Sequence, residues 1–161
     1  MLRIGLTGGI GTGKSTASKI LEKLSAYIFD ADKEAKKILL SNETIKSELI
    51  SEFGTDIMTG DGNVDNNKLA RVAFQDQDHQ LRLNTIVHPY VFKEIDKNFD
   101  RELDSGKHDI FVVDAALIYE SGADTHMDYV IVITALIKTR MERALARETL
   151  SREEILKRVD L

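Results

Sequence analysis

The sequence has no cysteine and a single proline among 161 residues. Without cysteine there are no disulfides, no thiolate zinc sites and no thiol redox chemistry, a composition compatible with a reducing compartment. No apolar run approaches the roughly 20 residues that a membrane-spanning helix needs. The first residues run directly into a strand pattern and a glycine-rich loop, which leaves no room for a signal peptide. The expected location is therefore the cytoplasm, with no membrane partner. Positive charge is scarce as well: 22 basic against 27 acidic side chains give a formal net charge of −5. That balance disfavours nucleic acid as a partner, because non-specific affinity for it rests on clustered Lys and Arg. An anionic ligand must meet a local positive cluster.

With 42% hydrophobic and 30% charged residues the chain has the composition of a soluble globular protein, one core domain with appendages. The run Gly8-Gly9-Ile10-Gly11-Thr12-Gly13-Lys14-Ser15 fits G-x-x-x-x-G-K-S/T at every fixed position. Close approach of a backbone to phosphate oxygens requires residues without side-chain bulk and free to take positive φ, and the glycines meet that demand. Lys14 then sets its ammonium on the β- and γ-phosphates of a nucleotide, the Ser15 hydroxyl is a natural Mg²⁺ ligand, and the following helix adds the partial positive charge of its N-terminus. Leu2, Ile4 and Leu6 alternate as in a strand, and Ala17, Ile20, Leu21 and Leu24 repeat at helical spacing, giving strand, loop and helix in the required order.

Further along, residues 26–29 form a short strand pattern that ends at Asp30-Ala31-Asp32 before a helical stretch to Leu40. Ligands of open α/β sheets gather at the carboxyl ends of strands, so both acids are candidates for proton transfer. A helix N-cap is the equal alternative for Asp30. Residues 41–107 contain no hydrophobic strand but four helical stretches, 43–53, 66–74, 77–87 and 90–103, with turn signals at Gly60-Asp61-Gly62-Asn63. Pro89 follows His88, and a residue before proline is pushed out of the α region, so a helix break is expected there. His88 itself is a structural residue or a substrate contact.

Two more apolar runs, 109–113 closed by Asp114 and 128–134, complete four strands separated by helices, which argues for a parallel sheet buried on both faces and an α/β fold. Asp114 has the placement of an outer-shell Mg²⁺ partner. A helix over 136–148 carries Leu136, Ile137, Met141, Ala144 and Leu145 on one side and Arg140, Arg143 and Arg147 on another. The arginines are either a solvated face or the clamp that a phosphate-transfer site uses. Ser151 to Glu154 matches a capping box that opens one more helix. Three readings follow: a small-molecule kinase, with the acceptor in the helical insertion; a kinase for a nucleoside monophosphate or sugar acid; and a non-catalytic nucleotide switch. The last lacks its N-K-x-D and D-x-x-G motifs, since Asn67-Lys68 is followed by Leu69-Ala70.

The chain resembles the dephospho-coenzyme A kinases along nearly all its length. The resemblance rests on residues 4–15, on Asp30-Ala31-Asp32, on Phe53-Gly54 with the Asp61-Gly62 turn, on Leu83-Asn84-Thr85-Ile86-Val87-His88-Pro89, on Ala116-Leu117-Ile118-Tyr119-Glu120, and on Arg143 and Arg147. It implies a P-loop, nucleoside-kinase-like fold with a nucleotide-binding core at 1–42 and 107–135, a helical insertion for the coenzyme at 43–106 and a helical lid at 136–161. It implies ATP and dephospho-coenzyme A as substrates with Mg²⁺ as cofactor, Gly11, Thr12, Gly13, Lys14, Ser15 and Thr16 as the ATP-phosphate loop, and Asp32 as general base for the ribose 3′-hydroxyl. It places Arg143 and Arg147 at the phosphates, matches Arg140 less clearly, and leaves His88 as the candidate in the insertion. Ala115-Ala116 stands where the family commonly has a proline. The family also ordinarily continues past the lid into a further strand and a final helix, which this sequence does not contain.

Overall fold

The computed structural model describes residues 1–73, 75–146 and 152–159. They divide into two compact units, Met1–Asp30 with Asn98–Leu161, and Ala31–Lys97.

The first unit is built on four parallel strands, β1 (Leu2–Thr7), β2 (Tyr27–Asp30), β3 (Ile110–Asp114) and β4 (Tyr129–Val132), in the order β2-β3-β1-β4. This is the expected α/β class. The strands begin and end one residue or more away from the apolar runs, because Asp30 and Asp114 still belong to the ladder and face each other in register. Leu6 pairs with Asp114 on one side and with Ile131 on the other, so the carboxyl ends of all four strands lie along one edge. Leu6, Ala26 and Val112 form the buried centre, with Ala17, Leu21, Ile28, Ile110, Ile131 and Ile133 against them. Phe111, fully buried, stacks on Tyr27 at 5.3 Å and meets Phe99 edge-on at 5.4 Å. Phe99 lies in the part of helix α5 (Gln77–Ser105) that belongs to this unit.

Two apolar stripes expected from the sequence are buried only in part. On α1 (Lys14–Lys23) the buried arc runs through Ala17, Ser18 and Leu21, while Ile20 is 54% and Leu24 71% exposed. At 100° per residue Ser18 and Ile20 stand on opposite sides of the Ala17–Leu21 line, so rotation of the helix toward Ser18 turns Ile20 outward. On α6 (Ile137–Leu145) Ala144 is buried, whereas Leu136 before it and Ile137 and Leu145 within it are exposed. The inward line there runs through Arg140, Met141 and Ala144, while Arg143 is exposed. Helix α7 (Arg152–Val159) follows, with Ile155 fully buried; the Ser151 of the capping box lies outside the described residues.

The second unit is helical: α2 (Ala31–Ser41), α3 (Glu43–Phe53), a 3-10 turn (Thr55–Ile57), α4 (Asn66–Ala73) and the first part of α5. The Asn42 side chain accepts hydrogen bonds from the Thr44 and Ile45 amides at 3.0 and 3.2 Å and so caps α3. Ile45, Leu49, Ile57 and Ala73 are fully buried. The predicted tight turn is present: Met58 bridges Val64, and Gly62 donates to the Thr59 carbonyl at 3.1 Å.

The expected helix break at His88 does not occur, and α5 continues through Pro89. Proline has no N–H for the Thr85 carbonyl, but burial overrides that loss. Val87, Val91 and Ile95 are 6%, 7% and 3% exposed, so one stripe at i, i+4 and i+8 is anchored on both sides of the proline.

Candidate active site

The glycine loop leaves the end of β1 and enters α1 at Lys14. Gly11 and Gly13 take φ values of 75° and 105°, in the left-handed region that other residues avoid. Within the loop the Thr12 hydroxyl donates to the Gly9 carbonyl at 2.8 Å, and the Thr16 and Ala17 amides donate to the Gly13 carbonyl at 2.9 and 3.1 Å. The first turn of α1 contains no acidic residue, so its N-terminal partial charge is left for a ligand. Ser15 and Thr16 are exposed there.

Lys14 reaches across the sheet edge and donates to the Asp114 carboxylate. Their side chains are 20% and 12% exposed, so the pair is largely withdrawn from water. Asp30 is the register partner of Asp114 on the neighbouring strand, which places two acids side by side at the carboxyl end of the sheet. The segment after β3 is fixed by the Ala115 amide, which donates to the Leu6 carbonyl at 3.1 Å, and by the Thr7 hydroxyl, which donates to the Ala116 carbonyl at 3.0 Å. Thus at Ala115-Ala116 the loop is held by one main-chain bond and one bond from the Thr7 hydroxyl.

Helix α6 lies against the glycine loop. The Arg140 Nε donates to the Ile10 carbonyl at 3.0 Å, and the Arg143 Nη1 donates to the carbonyls of Thr12 and Gly11 at 3.2 and 3.4 Å. Arg147 lies outside the described residues. In the first unit, then, the structure brings together Gly11, Thr12, Gly13, Lys14, Asp114, Arg140 and Arg143. Asp32 and His88 belong to the second unit. Asp32 is exposed in the first turn of α2, two residues after the strand end at Asp30. His88 is half-buried with its ring 5.9 Å from that of Phe92, and burial lowers its pKa below the ordinary 6.5.

The Lys14–Asp114 pair and the seat of Arg140 on the loop were not read from the sequence. The only signal for the first was an apolar strand closing on an acid, and for the second an arginine spacing that does not say which side of the loop is met. Among the described residues no three His, Asp or Glu side chains converge to hold a metal by themselves. The Ser15 hydroxyl and the strand-end carboxylates are hard oxygen donors, a set that suits Mg²⁺ when a nucleotide supplies further oxygens. Among the described residues no helix is long and apolar enough to cross a membrane.

A parallel sheet in the order β2-β3-β1-β4, a G-x-x-x-x-G-K-S loop at the end of its central strand and a lysine paired to a strand-end aspartate define a P-loop kinase-like enzyme. Comparison with known proteins narrows the class. The family model described as dephospho-CoA kinase matches residues 2–161. A dephospho-CoA kinase from Carboxydothermus hydrogenoformans is 40% identical over 156 residues, covering 97% of this chain and 75% of that protein. One from Corynebacterium glutamicum is 35% identical over 160 residues, covering 99% and 82%. A crystal structure from Thermus thermophilus superposes with a TM-score of 0.82 at 29% identity, covering 99% of this chain and 78% of that one. The structure of the Campylobacter jejuni dephospho-CoA kinase gives 0.59 at 25% identity, with 98% and 78% covered. The chain belongs to the dephospho-CoA kinase family, the ATP-dependent enzymes of the final step of coenzyme A biosynthesis.

Proposed function

We propose that the chain transfers the γ-phosphoryl group of ATP to the ribose 3′-hydroxyl of dephospho-CoA with Lys14 and the loop amides on the phosphates and Asp32 as the general base. The bond from the 3′-oxygen to the γ-phosphorus forms as the bond from that phosphorus to the β,γ-bridging oxygen breaks. The hydroxyl proton passes to the Asp32 carboxylate and ADP leaves. The observation that carries this reading is the Lys14–Asp114 pair beneath a loop with two left-handed glycines. It holds the one loop cation at the strand ends, where phosphate oxygens can replace the carboxylate.

Gly11, Thr12, Gly13, Ser15 and Thr16 line the same cradle, and orientation by fixed donors supplies most of the rate in reactions of this type. Mg²⁺, bound through the Ser15 hydroxyl and the nucleotide with Asp114 and Asp30 behind it, would supply charge neutralisation to the phosphates. Arg143 lies beside the loop and Arg147 follows it by four residues in sequence; both offset negative charge on the transferring group. His88, neutral because of its burial, contacts the dephospho-CoA side.

The test is ADP release with Mg-ATP in the presence and absence of dephospho-CoA. The expected result is acceptor-dependent ADP release, with turnover lowered at least about 100-fold in Asp32→Asn and ATP affinity held within about threefold. Equal turnover in Asp32→Asn removes that residue from proton transfer. ATP binding without any acceptor-dependent release overturns the substrate.

A further inference from the structure

We propose that Arg140 is a positioning residue that holds the phosphate loop in its anion-binding shape before any nucleotide arrives. The assignment rests on the loop being the nucleotide site, and it concerns the opposite face of that loop. Arg140 donates through Nε to the Ile10 carbonyl at 3.0 Å. Its neighbour one turn along α6, Arg143, donates to the Thr12 carbonyl at 3.2 Å. A peptide unit is planar and trans, so its carbonyl and its N–H point in opposite directions. Fixing the Ile10 carbonyl toward α6 therefore turns the Gly11 N–H away from α6, and fixing the Thr12 carbonyl does the same for the Gly13 N–H. The Thr12 N–H between them is bonded to the Gly9 carbonyl at 3.3 Å, so the Gly11 and Gly13 N–H groups, turned to one side, are the two left to meet anionic oxygens.

The approach of α6 supplies an independent observation. A Cβ on Gly11 would lie 2.3 Å from the Arg140 carbonyl oxygen and 2.8 Å from its Cα. One on Gly9 would lie 2.5 Å from the Arg140 Nη2. Gly11 is thus required by the backbone of α6 as much as by phosphate, whereas a side chain at Gly9 would displace the guanidinium of Arg140. The Thr12–Gly9 bonds and the bonds to the Gly13 carbonyl brace the loop in part, and the left-handed glycines at 11 and 13 leave it further freedom. Charge-assisted bonds to its carbonyls remove that freedom in the empty enzyme, so that the ligand does not bear the ordering cost.

The experiment uses ¹⁵N-labelled, nucleotide-free protein, so it reads the loop whether or not the kinase assignment stands. Arg140→Ala is expected to shift or broaden the Gly11 and Gly13 amide resonances while Gly54 and Gly122, far along the chain, keep theirs. ATP affinity is expected to fall about tenfold or more, and added methylguanidinium to restore part of it. Arg140→Lys, which keeps an aliphatic stem and one charge, is expected to fall between and serves where the alanine variant does not fold. Unchanged Gly11 and Gly13 amides with lost ATP affinity would make Arg140 a direct phosphate ligand and overturn the proposal. Unchanged amides with unchanged affinity would overturn it as well.

Discussion

Replacing Lys14 by methionine removes an ammonium while keeping most of the stem, and so isolates what the Lys14–Asp114 pair does for the folded chain. The Asp114 side chain is 12% exposed at the end of β3, flanked in register by Leu6 and Asp30. Removing one partner of a fully buried pair costs about 3–5 kcal/mol, whereas an exposed pair contributes about 0–1 kcal/mol. With side chains 20% and 12% exposed, this pair stands nearer the buried limit, so the expected loss is about 2–3 kcal/mol. For a chain of this size each kcal/mol moves the melting temperature by about 2–4 °C, and the variant should melt roughly 5–10 °C lower. Asp114→Asn removes the stranded charge, and the double variant should recover about 2 kcal/mol of that loss as a coupling energy. The assay is urea or thermal unfolding of the four proteins of the cycle without nucleotide, followed by ATP titration of each. A Lys14→Met protein as stable as the parent, or a double variant no more stable than Lys14→Met, would refute the pairing argument. ATP affinity should stay low in both lysine variants, because Asp114→Asn restores stability and not the ammonium.

Three other perturbations test separate links. Gly11→Ala places a methyl 2.3 Å from the Arg140 carbonyl at a φ of 75°, so melting temperature and ATP binding should both drop, the left-handed strain alone costing about 1 kcal/mol; unchanged values would mean that α6 does not lie on the loop. Pro89→Ala restores an N–H for the Thr85 carbonyl inside α5 and should raise stability by about 1 kcal/mol or more in urea unfolding, and a loss of stability would contradict the continuous helix. Burial holds the His88 pKa below 6.5, so the unfolded chain binds its proton more readily. Stability from this group is complete above pH 6.5 and falls as the pH drops below it, and His88→Gln should flatten that part of the urea-midpoint profile.

Local pattern carried the sequence a long way here, and it stopped where distance along the chain took over. The glycine loop, the strand before it and the helix α3 at Glu43–Phe53 are legible because each is decided by neighbours in sequence: turn chemistry, alternation and helical spacing. The strand ends were drawn short because Asp30 and Asp114 look like terminators, yet their backbones are held in the ladder by pairing between residues 84 apart. Pro89 was overruled by a buried stripe that the proline does not interrupt. The exposed Leu136, Ile137 and Ile20 show the converse, apolar periodicity that tertiary contact did not choose. The arginine spacing of α6 predicted that a guanidinium face exists, but only the folded chain shows it meeting carbonyl oxygens of the loop. Asp32 and His88, on the helical unit, rest on the family resemblance and on the mutational tests above.

The pairing of Lys14 also sets what the site can accept. At physiological salt the field of a surface charge is screened within about 8 Å, so a polyanion approaching a chain of net charge −5 is not drawn in from afar. Around the loop the balance differs: Lys14, Arg140 and Arg143 stand against Asp114 and Asp30, three positive groups to two negative. An incoming ligand oxygen meets an ammonium already bonded to Asp114, with N–H donors to share or exchange. A single weakly charged oxygen gains little by that exchange, because one anionic partner replaces another. On the proposed reading the β- and γ-phosphates of ATP would gain more, since they would meet the ammonium and the loop N–H groups together and carry more than one negative charge. On that reading Asp114 competes with the phosphates for the Lys14 ammonium of the empty site.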